Sequence, residues 1–179
     1  MNRDGIALAG ELDGLAGELR RRTLELFGRS LHIRTVDTGS CAACESEIRL
    51  LQAPPYDLHR LGFFFTPTPR HADLLMVTGP AIRAADNLLL KAFEATPDPK
   101  AVVAIGACAL GGVYNEDELV HGAVDRVVPV DVYVPGCPPS PLALLQGLLV
   151  AVGRLGERVA ALSLDLDAGR DGANGGAIA

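Results

Sequence analysis

Four cysteines are the residues whose type and position point most directly to chemistry in this chain. Cys41 and Cys44 are separated by two alanines, whereas Cys108 and Cys137 lie much further along. Thiolate is a soft ligand that favours iron–sulfur, zinc or copper(I) sites. A four-iron cluster takes four cysteine ligands. We therefore interpret the four cysteines as one ligand set for an iron–sulfur cluster.

Three other interpretations of the cysteines remain open. A zinc ribbon usually supplies two close cysteine pairs, and this chain has only one. A thioredoxin-type dithiol would use Cys41 and Cys44 and would need no further cysteines. Cysteine also serves as a small buried apolar residue. Against that, all four cysteines stand in segments with glycine or proline, next to apolar runs.

The elements that must position these cysteines alternate between strands and helices. Short β-rich segments predict strands, and longer segments with helical periodicity predict helices. A glycine-rich loop is expected at 106–112, and the stretch 135–139 is a proline-rich loop. Strands are predicted at 31–36, 60–65, 72–77, 100–105 and 131–134, and helices at 5–28, 44–52, 84–95 and 139–155.

This alternation predicts an α/β fold with a parallel sheet and right-handed crossovers. In such sheets the binding site lies beyond the carboxyl ends of the strands. Each cysteine segment follows a predicted strand. The topology therefore gives a physical reason for distant thiols to meet at one edge of the sheet.

The composition limits the function classes. The 179 residues are 49% hydrophobic, which suits one domain with a substantial core. The net charge of −6 does not favour nucleic acid as a partner. The first residues show no apolar signal-peptide core, and the apolar run at 142–152 is too short to span a bilayer. We expect a soluble, cytoplasmic protein. In that reducing compartment, cysteines are interpreted as metal ligands or catalytic thiols in preference to disulfide partners.

We divide the chain into three parts. Residues 1–30 form an N-terminal helical arm, which either packs on its own domain or docks on a partner. Residues 31–157 form the iron–sulfur domain. Residues 158–179 form a flexible tail, because the segment from 165 onward is rich in glycine, alanine and aspartate and lacks a periodic pattern.

Several motifs occur together in an order that resembles a known family. Residues 31–155 resemble the small electron-transfer subunit of energy-converting group 4 nickel–iron hydrogenases, including that of formate hydrogenlyase. The same superfamily contains the 20-kDa iron–sulfur subunit of respiratory complex I. The motifs that carry the resemblance lie at 38–44, 69–73, 77–79, 97–100, 106–108 and 128–139.

The resemblance implies a flavodoxin-like fold and one [4Fe-4S] cluster held by Cys41, Cys44, Cys108 and Cys137. It implies a large-subunit partner with a nickel–iron centre or, in complex I, a 49-kDa-like subunit with a quinone pocket. A ferredoxin-like subunit and membrane subunits complete the expected complex, on the inner face of the plasma membrane. In complex I the first two ligands are adjacent cysteines, so the two alanines here favour the hydrogenase branch. The loop at 109–114 departs from the longer, more polar glycine/serine run that is frequent in the family.

Three residues outside the cysteines lie in or beside these motifs. Glu47 stands where the family carries an acid. It either contacts the partner subunit or takes part in a proton path near the catalytic centre, or it serves only as an acid in the first turn of a helix. Arg83 either donates to a cluster sulfur or partner carboxylate, or is solvated. His71 is expected to be a hydrogen-bonding loop residue and not a ligand.

Overall fold

A five-stranded parallel sheet forms the centre of the molecule. The computed structural model describes residues 3–114 and 116–172, with side chains described for residues 10, 12–114 and 116–160. The strands are β1 Leu31–Asp37, β2 Phe63–Phe65, β3 Leu74–Thr78, β4 Ala101–Ile105 and β5 Val132–Val134. Their spatial order is β2-β1-β3-β4-β5, and every neighbouring pair is parallel.

Helices lie on both faces of the sheet. They are α1 Arg3–Phe27, α2 Ala43–Leu50, α3 Asp86–Ala95, α4 Gly106–Ala109 and α5 Pro141–Gly172. The strand order is the flavodoxin-like one, in which the chain steps outward in opposite directions from β1 and β3. The predicted flavodoxin-like α/β fold is therefore confirmed.

Two hydrophobic clusters cover the two faces of the sheet. All residues of β3 and β4 are buried, as expected for central strands of a covered parallel sheet. One cluster joins alternate strand residues such as Ile33 and Met76 to α1 and α5, and the other joins Leu75 and Val102 to α3. The alternation places successive strand side chains in different clusters.

The predicted N-terminal helix packs on the domain along its second half. Ala16 and Leu19 are buried in the same cluster as residues of α5, and Leu26 lies against Gly156. Buried Thr23 donates its hydroxyl to the carbonyl of Leu19, so its polar atom is satisfied. Of the two arrangements left open for this helix, contact with its own domain is therefore present in the described residues.

The closing helix is longer than predicted. The sequence favours an end at Leu155, but α5 continues to Gly172. Five of the seven residues at 158–164 are alanine, leucine or arginine, which favour helices, and none is proline or glycine. The local sequence therefore contains no signal that would end the helix. The final residues of the predicted flexible tail, 173–179, lie outside the described part of the chain, and the flexibility of the tail stays a prediction.

Two smaller predictions are also modified. The sequence predicts the second strand at 60–65, but Leu58–Leu61 forms a 3-10 turn capped by Asp57, so the strand begins at Phe63. The glycine-rich loop at 106–112 begins with one helical turn, α4. Over the ranges that the structure describes, no helix is both long enough and apolar enough to cross a membrane.

Candidate metal centre

The first two cysteines lie on a tightly held turn after β1. Asp37 ends the strand, and its Oδ1 accepts hydrogen bonds from the backbone N–H groups of Gly39 (2.9 Å) and Ser40 (2.7 Å). Ala42 has φ +67°, in the left-handed region that non-glycine residues seldom occupy. The turn therefore reverses the chain between exposed Cys41 and half-buried Cys44.

The end of β3 packs directly against this turn. Gly79 has φ +84°, and a Cβ at this position would lie 2.6 Å from the backbone nitrogen of Ser40. Thr38 donates its hydroxyl to the carbonyl of Thr78 (2.8 Å). Only glycine permits this close approach, which fixes the cysteine turn to the neighbouring strand.

Cys44 packs against the backbone that leads to Cys108. Gly106 follows β4 with φ +90°, and a Cβ there would lie 2.5 Å from the sulfur of Cys44. Cys108 sits in the single helical turn α4 and is half-buried. The absence of a side chain at Gly106 thus brings the second cysteine segment against the first.

The third cysteine segment is joined to the second by a backbone hydrogen bond. The N–H of Ala107 donates to the carbonyl of Gly136 at 2.7 Å. Cys137 follows immediately and is exposed, and its bond to Pro138 is a cis peptide. The segments after β1, β4 and β5 are therefore in contact at the carboxyl edge of the sheet, where the sequence predicts the site.

The electrostatics place the four thiols near one another. All four are free, so no disulfide removes a ligand. Burial, followed by the charges of Glu45 and of the other three cysteines, raises the pKa of the Cys44 thiol to about 11. Burial also raises the pKa of Cys108, followed by the effect of Cys137 and Cys41. Such mutual repulsion arises only between groups at short range.

The donor set fits a four-cysteine cluster in number and type. Because metal ligands must be thiolates, binding at Cys44 would release a proton from this protonated thiol. Among the described side chains, those of residues 10, 12–114 and 116–160, no three His, Cys, Asp or Glu residues are arranged to hold a single metal ion. A tetrahedral zinc site with bonds of about 2.3 Å would need sulfurs about 4 Å apart, whereas a cluster separates its ligands more widely because its metal atoms lie between them.

In the described part of the chain the side chain of Glu47 makes no hydrogen bond or ion pair, whereas that of Glu45 does. One carboxylate oxygen of Glu45 accepts from the hydroxyls of Ser40 (2.7 Å) and Thr78. The sequence places Glu45 in the first turn of the predicted helix at 44–52, where an acid is favourable, and indicates no further role for it. Its proximity to a cysteine was visible, but its partner Thr78 is distant in sequence and was not.

Arg83 lies away from the thiol contacts. Its guanidinium donates to the carbonyl of Asp117 from Nε (3.3 Å) and Nη2 (3.2 Å), and its Nη2 lies 3.9 Å from Glu116. This places it on the acidic loop that follows Cys108. Exposed His71 lies in a 3-10 turn before β3, and its backbone N–H donates to Thr68. In the described structure neither residue is hydrogen-bonded to a cysteine.

Comparison with protein families agrees with this geometry. The family model described as "NADH ubiquinone oxidoreductase, 20 Kd subunit" matches residues 41–151, which include all four cysteines. The chain belongs to this family. The resemblance found in the sequence is thereby confirmed, and the protein is a member of a family of oxidoreductase subunits.

Curated relatives of this 20-kDa-family chain include hydrogenase subunits. It is 39% identical over 157 residues to formate hydrogenlyase subunit 7 of Escherichia coli, covering 87% of this chain and 62% of the relative. It is 43% identical over 145 residues to the probable membrane-bound hydrogenase subunit mbhJ of Pyrococcus furiosus, covering 79% and 87%. The chain thus spans less than two thirds of the first relative's length.

Solved structures support the same relationship. A chain of the membrane-bound sulfane sulfur reductase, an archaeal respiratory membrane complex, matches with a TM-score of 0.63 and 31% identity, covering 75% of this chain and 76% of that one. A chain of an NAD+-reducing [NiFe]-hydrogenase matches with a TM-score of 0.53 and 22% identity, covering 68% and 92%. The second match concerns the fold alone.

Proposed function

We propose that this chain is the electron-transfer subunit of a membrane-associated, hydrogenase-like complex and holds one [4Fe-4S] cluster through Cys41, Cys44, Cys108 and Cys137. The observation that carries the proposal is the contact of three cysteine segments at one edge of the sheet. Gly106 lies against the sulfur of Cys44, and Ala107 is hydrogen-bonded to Gly136. When bound, such a cluster takes up and releases one electron at a time.

The residues around the thiols hold the site in a fixed geometry. Asp37 and Ser40 stabilise the first turn through backbone hydrogen bonds. Pro138, Pro139 and positive-φ Gly136 restrict the segment around Cys137. A rigid site limits reorganisation when charge changes, which suits electron transfer better than chemistry on a substrate. The proposed chain therefore performs no substrate chemistry alone.

A partner subunit is expected to cover the thiol edge. Cys41 and Cys137 are exposed, and solvent access is one determinant of a cluster's potential. The loop after Cys108 also exposes the apolar side chains of Val113, Tyr114 and Leu119. We infer that a large subunit with a nickel–iron centre covers this edge, that a ferredoxin-like subunit delivers electrons, and that membrane subunits hold the complex at the cytoplasmic face.

The equivalent subunit of a complex I-like quinone reductase is the second candidate function. The family description supports it, because it names NADH ubiquinone oxidoreductase. The two alanines between Cys41 and Cys44 favour the hydrogenase branch, as do the curated relatives that are named hydrogenase subunits. Nickel in the purified complex would support the hydrogenase-like assignment, and a complex without nickel that reduces quinone would support the second.

Metal analysis of the chain tests the cluster. After anaerobic purification we expect about four irons and four acid-labile sulfides per chain, with an EPR signal after reduction by dithionite. Cys108→Ser and Cys137→Ser should each lose or convert the cluster. His71→Ala is the control, because His71 precedes β3 and lies at the opposite edge of the sheet. One zinc per chain, or full iron content in either serine variant, would contradict the proposal.

A further inference from the structure

The carboxylate of Glu45 lies at the junction of three elements beside the cysteines. It is in the first turn of α2, directly after Cys44. Its Oε1 accepts from Ser40 Oγ in the cysteine turn and from Thr78 Oγ1 at the end of β3. One carboxylate oxygen therefore links α2, the turn and the central strand.

The two hydroxyl partners continue this network into the backbone. Ser40 Oγ also accepts from the N–H of Ala42 (3.1 Å), the left-handed residue between the first two cysteines. Thr78 Oγ1 also lies 3.4 Å from the carbonyl of Val36 in β1. Through these contacts, Glu45 restrains the backbone before and within the cysteine turn.

The second oxygen of Glu45 is buried but unsatisfied. In the part of the chain that the structure describes, Oε2 has no hydrogen-bond partner. A buried acceptor without a donor is costly, particularly on a charged group. The charge also acts on the neighbouring thiol, since Glu45 is the largest contributor after burial to the raised pKa of Cys44. The stability of the fold alone does not explain why a carboxylate stands at this position.

We propose that Glu45 is a positioning residue for the cluster: it holds the turn that presents Cys41 and Cys44 and keeps a negative charge beside Cys44 that lowers the cluster's reduction potential. Reduction adds an electron, so a fixed negative charge close to the cluster disfavours the reduced state. This inference rests on the proposed function, because it requires that the four cysteines hold a redox-active cluster.

Two substitutions separate the two roles of Glu45. Glu45→Gln keeps an acceptor oxygen for Ser40 and Thr78 but removes the charge. We expect it to retain iron and to raise the midpoint potential, with about a tenfold change in the ratio of reduced to oxidised cluster at fixed potential, or 59 mV for one electron. Glu45→Asp keeps the charge but shortens the reach. It should retain the low potential and lose iron to a chelator several-fold faster.

Redox titration followed by EPR, and iron release to a chelator, provide the measurements on the anaerobically purified protein. Glu94→Gln is the charge-matched control, because exposed Glu94 lies near the end of α3, at the edge where the strands begin. It should leave the potential unchanged. If Glu45→Gln fails to fold, Thr78→Val tests the positioning role by removing one donor from the carboxylate, and it should release iron about tenfold faster.

The outcomes distinguish this inference from the proposed function. If the wild-type chain binds no iron, the proposed function is wrong. If the wild-type chain holds the cluster but Glu45→Gln shifts the potential no more than Glu94→Gln, the electrostatic role is wrong. If Glu45→Asp and Thr78→Val release iron at the wild-type rate, Glu45 does not position the turn.

Discussion

At the residue scale, the site depends as much on missing side chains as on the thiols. Gly106 and Gly79 both have positive φ, and a Cβ at either one would collide with the first cysteine segment. Their role follows from contacts between segments far apart in sequence. Composition and local pattern therefore show that glycines accompany the cysteines, but they do not show which glycine touches a ligand.

Gly106→Ala tests this contact. The new Cβ would lie 2.5 Å from the sulfur of Cys44, at a φ of +90° that alanine rarely adopts. We expect iron occupancy to fall at least severalfold, as measured by metal analysis and EPR.

Gly153→Ala is the matched control for this substitution. Gly153 lies within α5, and nothing stands within 4 Å of a Cβ built there. The substitution should leave iron unchanged and stabilise the fold by about 0.5–1 kcal/mol, because alanine is the better helix former. Equal iron content in the Gly106 and Gly153 variants would show that the close approach to Cys44 is not required.

Glu45 and Glu47 are close in sequence but differ in their contacts. They are two positions apart on α2, and residues so spaced do not face the same side of a helix. Glu45 reaches Thr78, whereas Glu47 reaches no hydrogen-bonding or charged partner in the described chain. A direct role for Glu47 toward a partner subunit stays a prediction.

At the scale of the elements, an ion pair holds the closing helix to the strands that precede Cys108 and Cys137. Asp131 precedes β5, and its side chain is 11% exposed. Its Oδ2 accepts from the backbone N–H of Val102 in β4 (2.8 Å), and Arg158 of α5 donates to both of its oxygens. Three elements therefore meet at one carboxylate, at the end of the sheet opposite the cysteines.

Asp131→Ala should destabilise the fold by about 2–3 kcal/mol, because it leaves a buried backbone N–H without its acceptor and removes the charged partner of Arg158, which keeps only its hydrogen bond to the carbonyl of Lys100 among the described residues. Urea unfolding of the purified chain would measure the change. Asp125→Ala is the control, since in the described part of the chain the hydroxyl of Tyr133 (3.0 Å) is the one hydrogen-bond partner of the exposed Asp125 carboxylate. It should cost about 0.5 kcal/mol. Similar values for the two variants would show that the triad does not stabilise the domain.

At the scale of the whole molecule, the loop after Cys108 presents an apolar surface beside the thiol edge. Its backbone is hydrogen-bonded to the backbone of residues 81–83. For example, the backbone N–H of Arg83 donates to the carbonyl of Leu119 (2.9 Å). Ile82 in turn lies against Gly39 of the first cysteine segment. Leu119 is 74% exposed, so it is available to a partner that covers the site. These contacts hold the loop in place beside the first cysteine segment.

If the proposed large subunit covers this loop, Leu119→Asp should weaken its binding about tenfold or more, because a charge would then stand in an interface that excludes water. Iron content should stay unchanged. Copurification of the tagged chain with its complex would measure the effect. Leu24→Asp is the control, because Leu24 is 54% exposed near the end of α1, at the opposite end of the sheet. Undiminished copurification of the Leu119 variant would exclude this loop from the interface.

The sequence by itself determined the fold class, the order of the strands along the chain and the four cysteines, because strand periodicity and residue type are local properties. The exact limits of β2 and α5 were not predicted, since a turn capped by Asp57 delays the strand and α5 continues beyond residue 155 to Gly172. The partners of Arg83 and Glu45 were also missed. They depend on which distant segments adjoin them.

Only the tertiary structure decided how the cysteine segments meet. The parallel sheet places the ends of β1, β4 and β5 at one edge, but Gly106 and the Ala107–Gly136 hydrogen bond bring their segments into contact. The turn of residues 41–44 is held by Asp37, by Gly79 and by the carboxylate of Glu45. Cysteine type and spacing therefore predict which ligands to expect, whereas long-range packing and hydrogen bonding determine how they are presented.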